Sequence, residues 1–168
     1  YSGRNNIIVR QNRSNLGAIN HINELWNEAK GEWIVVAAGD DISVPDRTTK
    51  IVEMAQRNND VNLICSDSIP IDTEGNEIKN IYFEQSAINP IISTIDMYVN
   101  KDIAAPHGAT MAYSRALIKK FPPLPKDCVY EDSVLFLRAL LIGKSAQIKI
   151  PLVRYRTHEN QTTNANTN

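Results

Sequence analysis

Gly31-Glu32-Trp33-Ile34-Val35-Val36-Ala37-Ala38-Gly39-Asp40-Asp41-Ile42-Ser43-Val44-Pro45-Asp46-Arg47 is the stretch that decides the fold. Trp33 to Ala38 is an unbroken apolar run with β-branched residues at its centre, which predicts a strand buried on both faces. Gly39-Asp40-Asp41 then places two carboxylates at the strand's carboxyl end. Open α/β sheets bind ligands in the crevice at that end. Pro45 and Asp46 open a helix, where proline is tolerated in the first turn. At this point the acid pair has two readings. It caps the helix that follows, or it offers oxygen ligands to a hard divalent cation shared with substrate phosphates.

On the N-terminal side, Ile7 to Arg10 is predicted to be a strand and Gln11 to Gly17 a polar loop. Ala18 to Lys30 follows with Ile19, Ile22, Trp26 and Ala29 on one helical face, and Lys30-Gly31 stops it. On the C-terminal side, Asp46 to Asn58 is a second helix facing inward with Ile51, Met54 and Ala55. Val61 to Cys65 is a further buried strand ending in Ser66-Asp67. The order β-α-β-α-β predicts an α/β fold with a mostly parallel sheet and right-handed crossovers.

Beyond Asp67 the pattern changes. Ile69 to Ile71 and Glu77 to Phe83 flank a turn cluster, Asp72 to Asn76, and read as a hairpin. Pro90 to Val99 is expected to be helical, Ala105 to Gly108 a loop and Ala109 to Tyr113 a short strand. Ser114 is placed to cap a helix over Arg115 to Lys120. Phe121 to Lys126 holds three prolines and is extended or turning. Glu131 to Gly143 is a strongly apolar helix closed by its glycine. Gln147 to Arg156 is extended, and Pro151 inside it suits a sheet edge or a bulge. Thr157 to Asn168 is a polar tail, expected to fray.

The 168 residues suffice for one domain with a substantial core. A net charge of -1 gives no electrostatic case for nucleic acid or an anionic membrane. No apolar run approaches the roughly 20 residues of a membrane span, and the best candidate, Val134 to Ile142, contains Arg138. The opening residues show no signal-peptide pattern. Cys65 and Cys128 lie far apart without metal-ligand spacing, and Cys65 is expected to be buried and reduced. These features favour a cytoplasmic location.

Three further clusters could carry chemistry. Tyr130-Glu131-Asp132 opens an apolar helix, where acids are favoured by the dipole. A carboxylate held there over a cleft could also take a proton from an attacking hydroxyl. Arg154 to His158 ends in an imidazole that could complete a metal site built on the Asp pair. Asp67, at a neighbouring strand end, is either a site residue or a turn cap.

Taken in order, these pieces resemble glycosyltransferase family 2. The likeness rests on Asn15-x-Gly17, A-x-G-E at Ala29 to Glu32 and G-D-D-I-x-x-P-x-R at Gly39 to Arg47. It continues through C-S-D at Cys65, D-x-x-G-N at Asp72 and G-A-T-M-A-Y-S-R at Gly108. Y-E-D-S-V-L-F-L-R-A at Tyr130 and Y-R-T-H-E-N-Q-T at Tyr155 complete it, so it spans about Asn12 to Thr163. The resemblance implies a GT-A fold, a Rossmann-like sheet flanked by helices. It also implies inverting transfer of a sugar from a nucleotide-sugar, a UDP-linked donor among the candidates, with Mn2+ or Mg2+. The acceptor would be a glycan, a lipid-linked or a small-molecule hydroxyl, as in cell-wall or polysaccharide assembly. The enzyme would work in the cytoplasm, free or at the inner face of the membrane.

Carried onto this sequence, Asp40 and Asp41 match the D-x-D region, one acid for the metal and the other for the donor ribose. Asp41 is favoured for the metal, with Asp40 and His158 as its companions. Asp132, beside Glu131, matches the catalytic base. Asn15 and Gly17 match residues beside the nucleotide pocket. Two departures stand out. Ala38 occupies the position of the first acid of D-x-D, and the family's N-terminal nucleotide-binding βα unit has no counterpart before Asn6. The expectation is therefore reduced or no activity in this chain and an exposed flank on the Ile7 to Val9 strand, open to self-association into a homo-oligomer. The competing readings are a non-catalytic sugar- or protein-binding module on the same fold, and a nucleotidyltransferase. The latter would want a Gly-rich basic loop that is not seen. The sequence has no Q-x-x-R-W motif, so a single transfer is expected rather than processive synthesis.

Overall fold

A computed structural model describes residues 6–78 and 90–158. In chain order they form α1 (Ala18–Glu28), β1 (Trp33–Val35), β2 (Ile42–Ser43), α2 (Arg47–Arg57) and β3 (Val61–Ile71). These are followed by β4 (Ile91–Ser93), α3 (Ile95–Val99), β5 (Ala112–Ser114), α4 (Arg115–Lys120), α5 (Glu131–Ile142) and β6 (Lys144–Arg156). The sheet runs β1-β5-β3-β6-β2, with β4 also paired to β6.

The α/β class holds, and the sheet is mixed. β1, β3 and β6 share one direction, but β5 is inserted antiparallel between β1 and β3. Only the long β3–β6 ladder is parallel among the described strands. The β-α-β-α-β order sets strand direction but not adjacency, because a later strand can occupy the gap that a crossover leaves. On one face of the sheet, Ile19 and Trp26 of α1, Leu117 of α4 and Leu135, Phe136 and Ala139 of α5 pack on Leu63, Cys65 and Tyr113. On the other face, Ile51 of α2 packs on Ile64, Ala112, Ala146 and Leu152. Cys65 is buried and free, and burial pushes its thiol pKa up to about 12.

Several expected elements shift. Ile7 to Arg10 is not a strand; Ile8 and Val9 are 82% and 73% exposed. Among the described residues no strand runs beside it, and a strand needs a neighbour to pair its backbone groups. The strand from Trp33 ends at Val35 and is half-buried, because it lies at the end of the sheet; Ala37 and Ala38 are exposed. Pro90 to Val99 begins as β4 and becomes helical only from Ile95. Gly108 to Thr110 is a 3-10 turn, with the strand starting at Ala112. Of the hairpin, an Ile71–Glu77 bridge is present, and the remainder lies outside the described residues. The strand through Pro151 is central rather than an edge. β3 covers one side, and β4 and β2 cover the two halves of the other. Pro151 sits opposite Asp67, where the ladder shifts register, so its missing N–H falls at a bulge.

Local signals did what elementary chemistry requires. Ser114 Oγ accepts the Leu117 N–H and caps α4, an interaction typically worth about 1 kcal/mol. Gly143 ends α5 and passes directly over the Asp60 carbonyl. A methyl group at Gly143 would penetrate that carbonyl oxygen and lie 2.5 Å from Asn62 Nδ2. Gly143→Ala should therefore lower stability by about 1–3 kcal/mol, the usual cost of overpacking. Urea unfolding of the variant checks this, and an unchanged midpoint would show that the α5–β6 corner can shift freely.

Candidate active site

After Val35 the chain leaves the sheet through an exposed stretch and returns as β2, which pairs with Val153 and Arg154 of β6. That pairing pins Asp40-Asp41 beside the last residues of β6. Arg156 fastens the turn. Its backbone N–H donates to Asp41 Oδ1 at 2.9 Å, and its Nε donates to the Asp40 carbonyl at 2.9 Å. Its Nη1 donates to the carbonyls of Asp72 and Thr73 at 2.7 and 2.6 Å. His158 Nε2 lies 3.1 Å from Asp40 Oδ2.

Beneath this turn lies Arg47, the first residue of α2, only 2% exposed. Its Nη1 donates to Ser43 Oγ at 2.9 Å and its Nη2 to the Ala109 carbonyl at 3.0 Å. Burial pushes the guanidinium pKa down, and the negative charge of Asp41 opposes that. Arg47 Nε and Asp41 Oδ2 are both buried without a hydrogen-bond partner.

The opposite wall is built by the Gly108–Thr110 turn and the first turn of α5. Asp132 Oδ1 accepts the Ser133 N–H at 2.7 Å and lies 3.4 Å from Ser133 Oγ. Gly108 backs the same carboxylate; a methyl group there would sit 3.3 Å from Asp132 Cβ and 3.5 Å from Oδ2. Both walls face one cavity of about 850 Å³. Asp40, Asp41, Glu131 and Asp132 line it, and so do all three histidines of the chain. The His107 ring meets Tyr155 edge-on at 4.3 Å. Tyr113 also lines the cavity. Burial, aided by the charges of Glu131 and Asp132, raises its hydroxyl pKa, so it stays protonated and is no general base.

Not every expected site residue converges. Asn15 and Gly17 line a separate groove that meets the main cavity only at His21, and Asn15 Oδ1 accepts the Gly17 N–H within that loop. Asp67 lies in the middle of β3 rather than at a strand end. It accepts from Gln147 Nε2 at 2.7 Å and pairs with Lys149 Nζ at 3.5 Å, which gives it a structural role. Arg47, Gly108, His107 and Tyr155 received no role from the sequence. Arg47 did leave a signal, a charge four residues before Ile51 on the buried face of α2.

The donor set can be tested for a divalent cation. Among the described residues no three His, Cys, Asp or Glu side chains converge as a complete metal cage. The Asp40–His158 pair offers one hard oxygen and one imidazole nitrogen at the cavity. Mg2+-type ions are commonly held by one or two carboxylates together with substrate phosphates, so an incomplete protein set fits a shared ion. Asp41 is less free to join it, with one oxygen accepting the Arg156 N–H and the other buried.

Comparison with known proteins bears on this arrangement. The family model of glycosyl transferase family 2 matches residues 2–121. An uncharacterized glycosyltransferase of Methanocaldococcus jannaschii is 31% identical over 113 residues, covering 67% of this chain and 38% of that protein. The crystal structure of S. aureus TarS 1-349 in complex with UDP-GlcNAc is similar with a TM-score of 0.62 at 16% identity. That match covers 87% of this chain and 40% of the TarS chain. A second TarS 1-349 structure gives 0.60 at 17% identity, covering 84% and 40%. This chain thus spans about two fifths of the length of these proteins. Asp132 and His158 lie beyond the family-model match, so their roles rest on geometry. No helix among the described residues is long and apolar enough to cross a membrane. The family match over most of the chain and the GT-A-like sheet agree: this chain belongs to glycosyl transferase family 2.

Proposed function

We propose that this chain carries the reacting centre of a metal-dependent, inverting sugar transferase that draws on a nucleotide-sugar. The observation that carries the reading is the convergence of Asp132 and the Asp40–His158 pair on one cavity. Asp132 Oδ2 takes the proton of the acceptor hydroxyl while Oδ1 stays anchored to Ser133. The acceptor oxygen bonds to the anomeric carbon as the bond from that carbon to the diphosphate oxygen breaks on the other side. A single displacement of this kind inverts the anomeric centre and needs no enzyme nucleophile. Asp40 and His158 would hold a Mn2+ or Mg2+ ion, which when bound supplies charge neutralisation to the departing diphosphate. Asp41, tied to Arg156, shapes the turn that presents Asp40. The cavity wall of Ile22, Leu25 and Trp26 gives the site an apolar side. The UDP-GlcNAc bound by TarS makes that nucleotide-sugar a suitable first probe.

The test is UDP release from UDP-GlcNAc with and without Mn2+, read together with the anomeric configuration of the sugar formed. Metal-dependent release with inverted configuration is the expected result when this chain is assayed within an enzyme of its relatives' length, since it spans about two fifths of them. By itself the chain should turn over slowly or not at all. Calorimetry showing tight UDP and sugar binding without any turnover would favour a binding module instead.

A further inference from the structure

The two walls of the site come from distant parts of the chain, and one buried side chain touches both. Arg47 bonds Ser43 Oγ in β2, just after the Asp40-Asp41 turn, and the Ala109 carbonyl in the 3-10 turn. The residue before Ala109 is Gly108, which neighbours Asp132 so closely that an added methyl group would touch it. We infer that Arg47 is a positioning residue that fixes the distance between the metal-side turn at Asp40-Asp41 and the proton acceptor Asp132. The inference rests on the transferase reading above and deepens it.

Three observations support this. First, the guanidinium is 2% exposed yet leaves Nε without a partner. A buried, incompletely satisfied charge is weak evidence for a stabilising role, and apolar replacements of buried ion pairs are often neutral. Second, its two bonded nitrogens reach elements 66 residues apart in sequence, Ser43 and Ala109. Arginine's rigid fork sets both distances at once, which a lysine ammonium on a flexible stem does not. Third, Gly108 neighbours Asp132 with less than a methyl group's room between them, since a methyl added to it would sit 3.3 Å from Asp132 Cβ. A shift of the 3-10 turn toward α5 by about a methyl group's width therefore reaches the carboxylate. Misplacing a reacting group by about 1 Å can cost on the order of 10²-fold.

Arg47→Met and Arg47→Lys test the inference by two routes. The first is native-state hydrogen exchange, which needs no substrate. The Thr110 and Met111 amides bond His107 and Gly108 carbonyls, and the Arg156 amide bonds Asp41. In Arg47→Met all three should exchange about 10-fold faster, while the Leu63 and Ile64 amides of β3 keep wild-type rates. Unchanged exchange at the three amides would overturn the inference. Equal acceleration of the β3 amides would also overturn it, since that marks a merely stabilising residue. The second route is turnover of UDP-GlcNAc with Mn2+. Both variants should lower kcat about 10- to 100-fold with a much smaller change in KM, Arg47→Lys less than Arg47→Met. In combination with Asp132→Asn the losses should not multiply; fully multiplicative losses would count against the inference. If the wild-type chain turns over no UDP-GlcNAc, which agrees with the reduced or absent activity expected of it, the exchange rates alone decide the role of Arg47.

Discussion

Asp132→Asn should lower kcat by about 10²–10⁴-fold, the range expected when a general base is removed. The side chain keeps its shape, and the amide oxygen can still accept the Ser133 N–H at the first turn of α5. Fold and cavity should therefore survive, and thermal unfolding should confirm it. What is lost is the carboxylate that accepts the acceptor's proton. Because Asp132 and the Asp40–His158 pair arise from separate elements of the cavity wall, affinity for UDP with Mn2+ should stay near wild type. A variant that turns over normally would remove Asp132 from the mechanism. One that first loses nucleotide affinity would place it on the donor side. Glu131→Gln is the internal control. Glu131 also lines the cavity, and a larger loss there than at Asp132 would exchange the two roles.

Asp40→Asn should weaken Mn2+ binding in the presence of UDP by roughly 100-fold or more, since even partners outside the ligand shell commonly cost 10- to 100-fold. Titration calorimetry reads this without any transfer reaction. Asp41→Asn provides the contrast. Asp41 Oδ1 is committed to the Arg156 N–H and Oδ2 is buried. That change should alter the turn and reduce stability while leaving a smaller metal defect. His158→Ala should follow Asp40→Asn, because the two side chains meet at 3.1 Å. If Asp41→Asn abolishes metal binding and Asp40→Asn does not, the ligand assignment at this turn reverses.

Much of the fold was legible residue by residue. α1 and α5 begin and end within two residues of their expected limits, because apolar spacing acts within one or two helical turns; α5 closes at Gly143, whereas α1 stops at Glu28 with an extended Ala29, before Gly31. Ser114 was readable as a cap for the same reason, since its partner lies three residues away. The burial of Cys65 followed from its apolar neighbours. Sheet order was not readable. Whether β5 slips between β1 and β3 depends on packing between segments far apart in the chain, and Ala109 to Tyr113 gave no hint of it. Ile7 to Arg10 had the composition of a strand without the ladder that makes one.

The site divides along the same line. Residues near one another in the chain were enough to establish that an acid pair follows the Trp33 strand and that Glu131-Asp132 opens an apolar helix. They were also enough to establish which family the motifs belong to. Other partnerships exist only in the folded chain. Asp40 meets His158 across 118 positions, and Arg156 holds Asp41 across 115. Arg47 is buried between Ser43 and Ala109, and Asp67 is spent on Gln147 and Lys149. These pairings are set by the β2–β6 and β3–β6 ladders, which bring distant strands into register. A side chain's chemistry is written at its own position, but the groups it faces are chosen by that register.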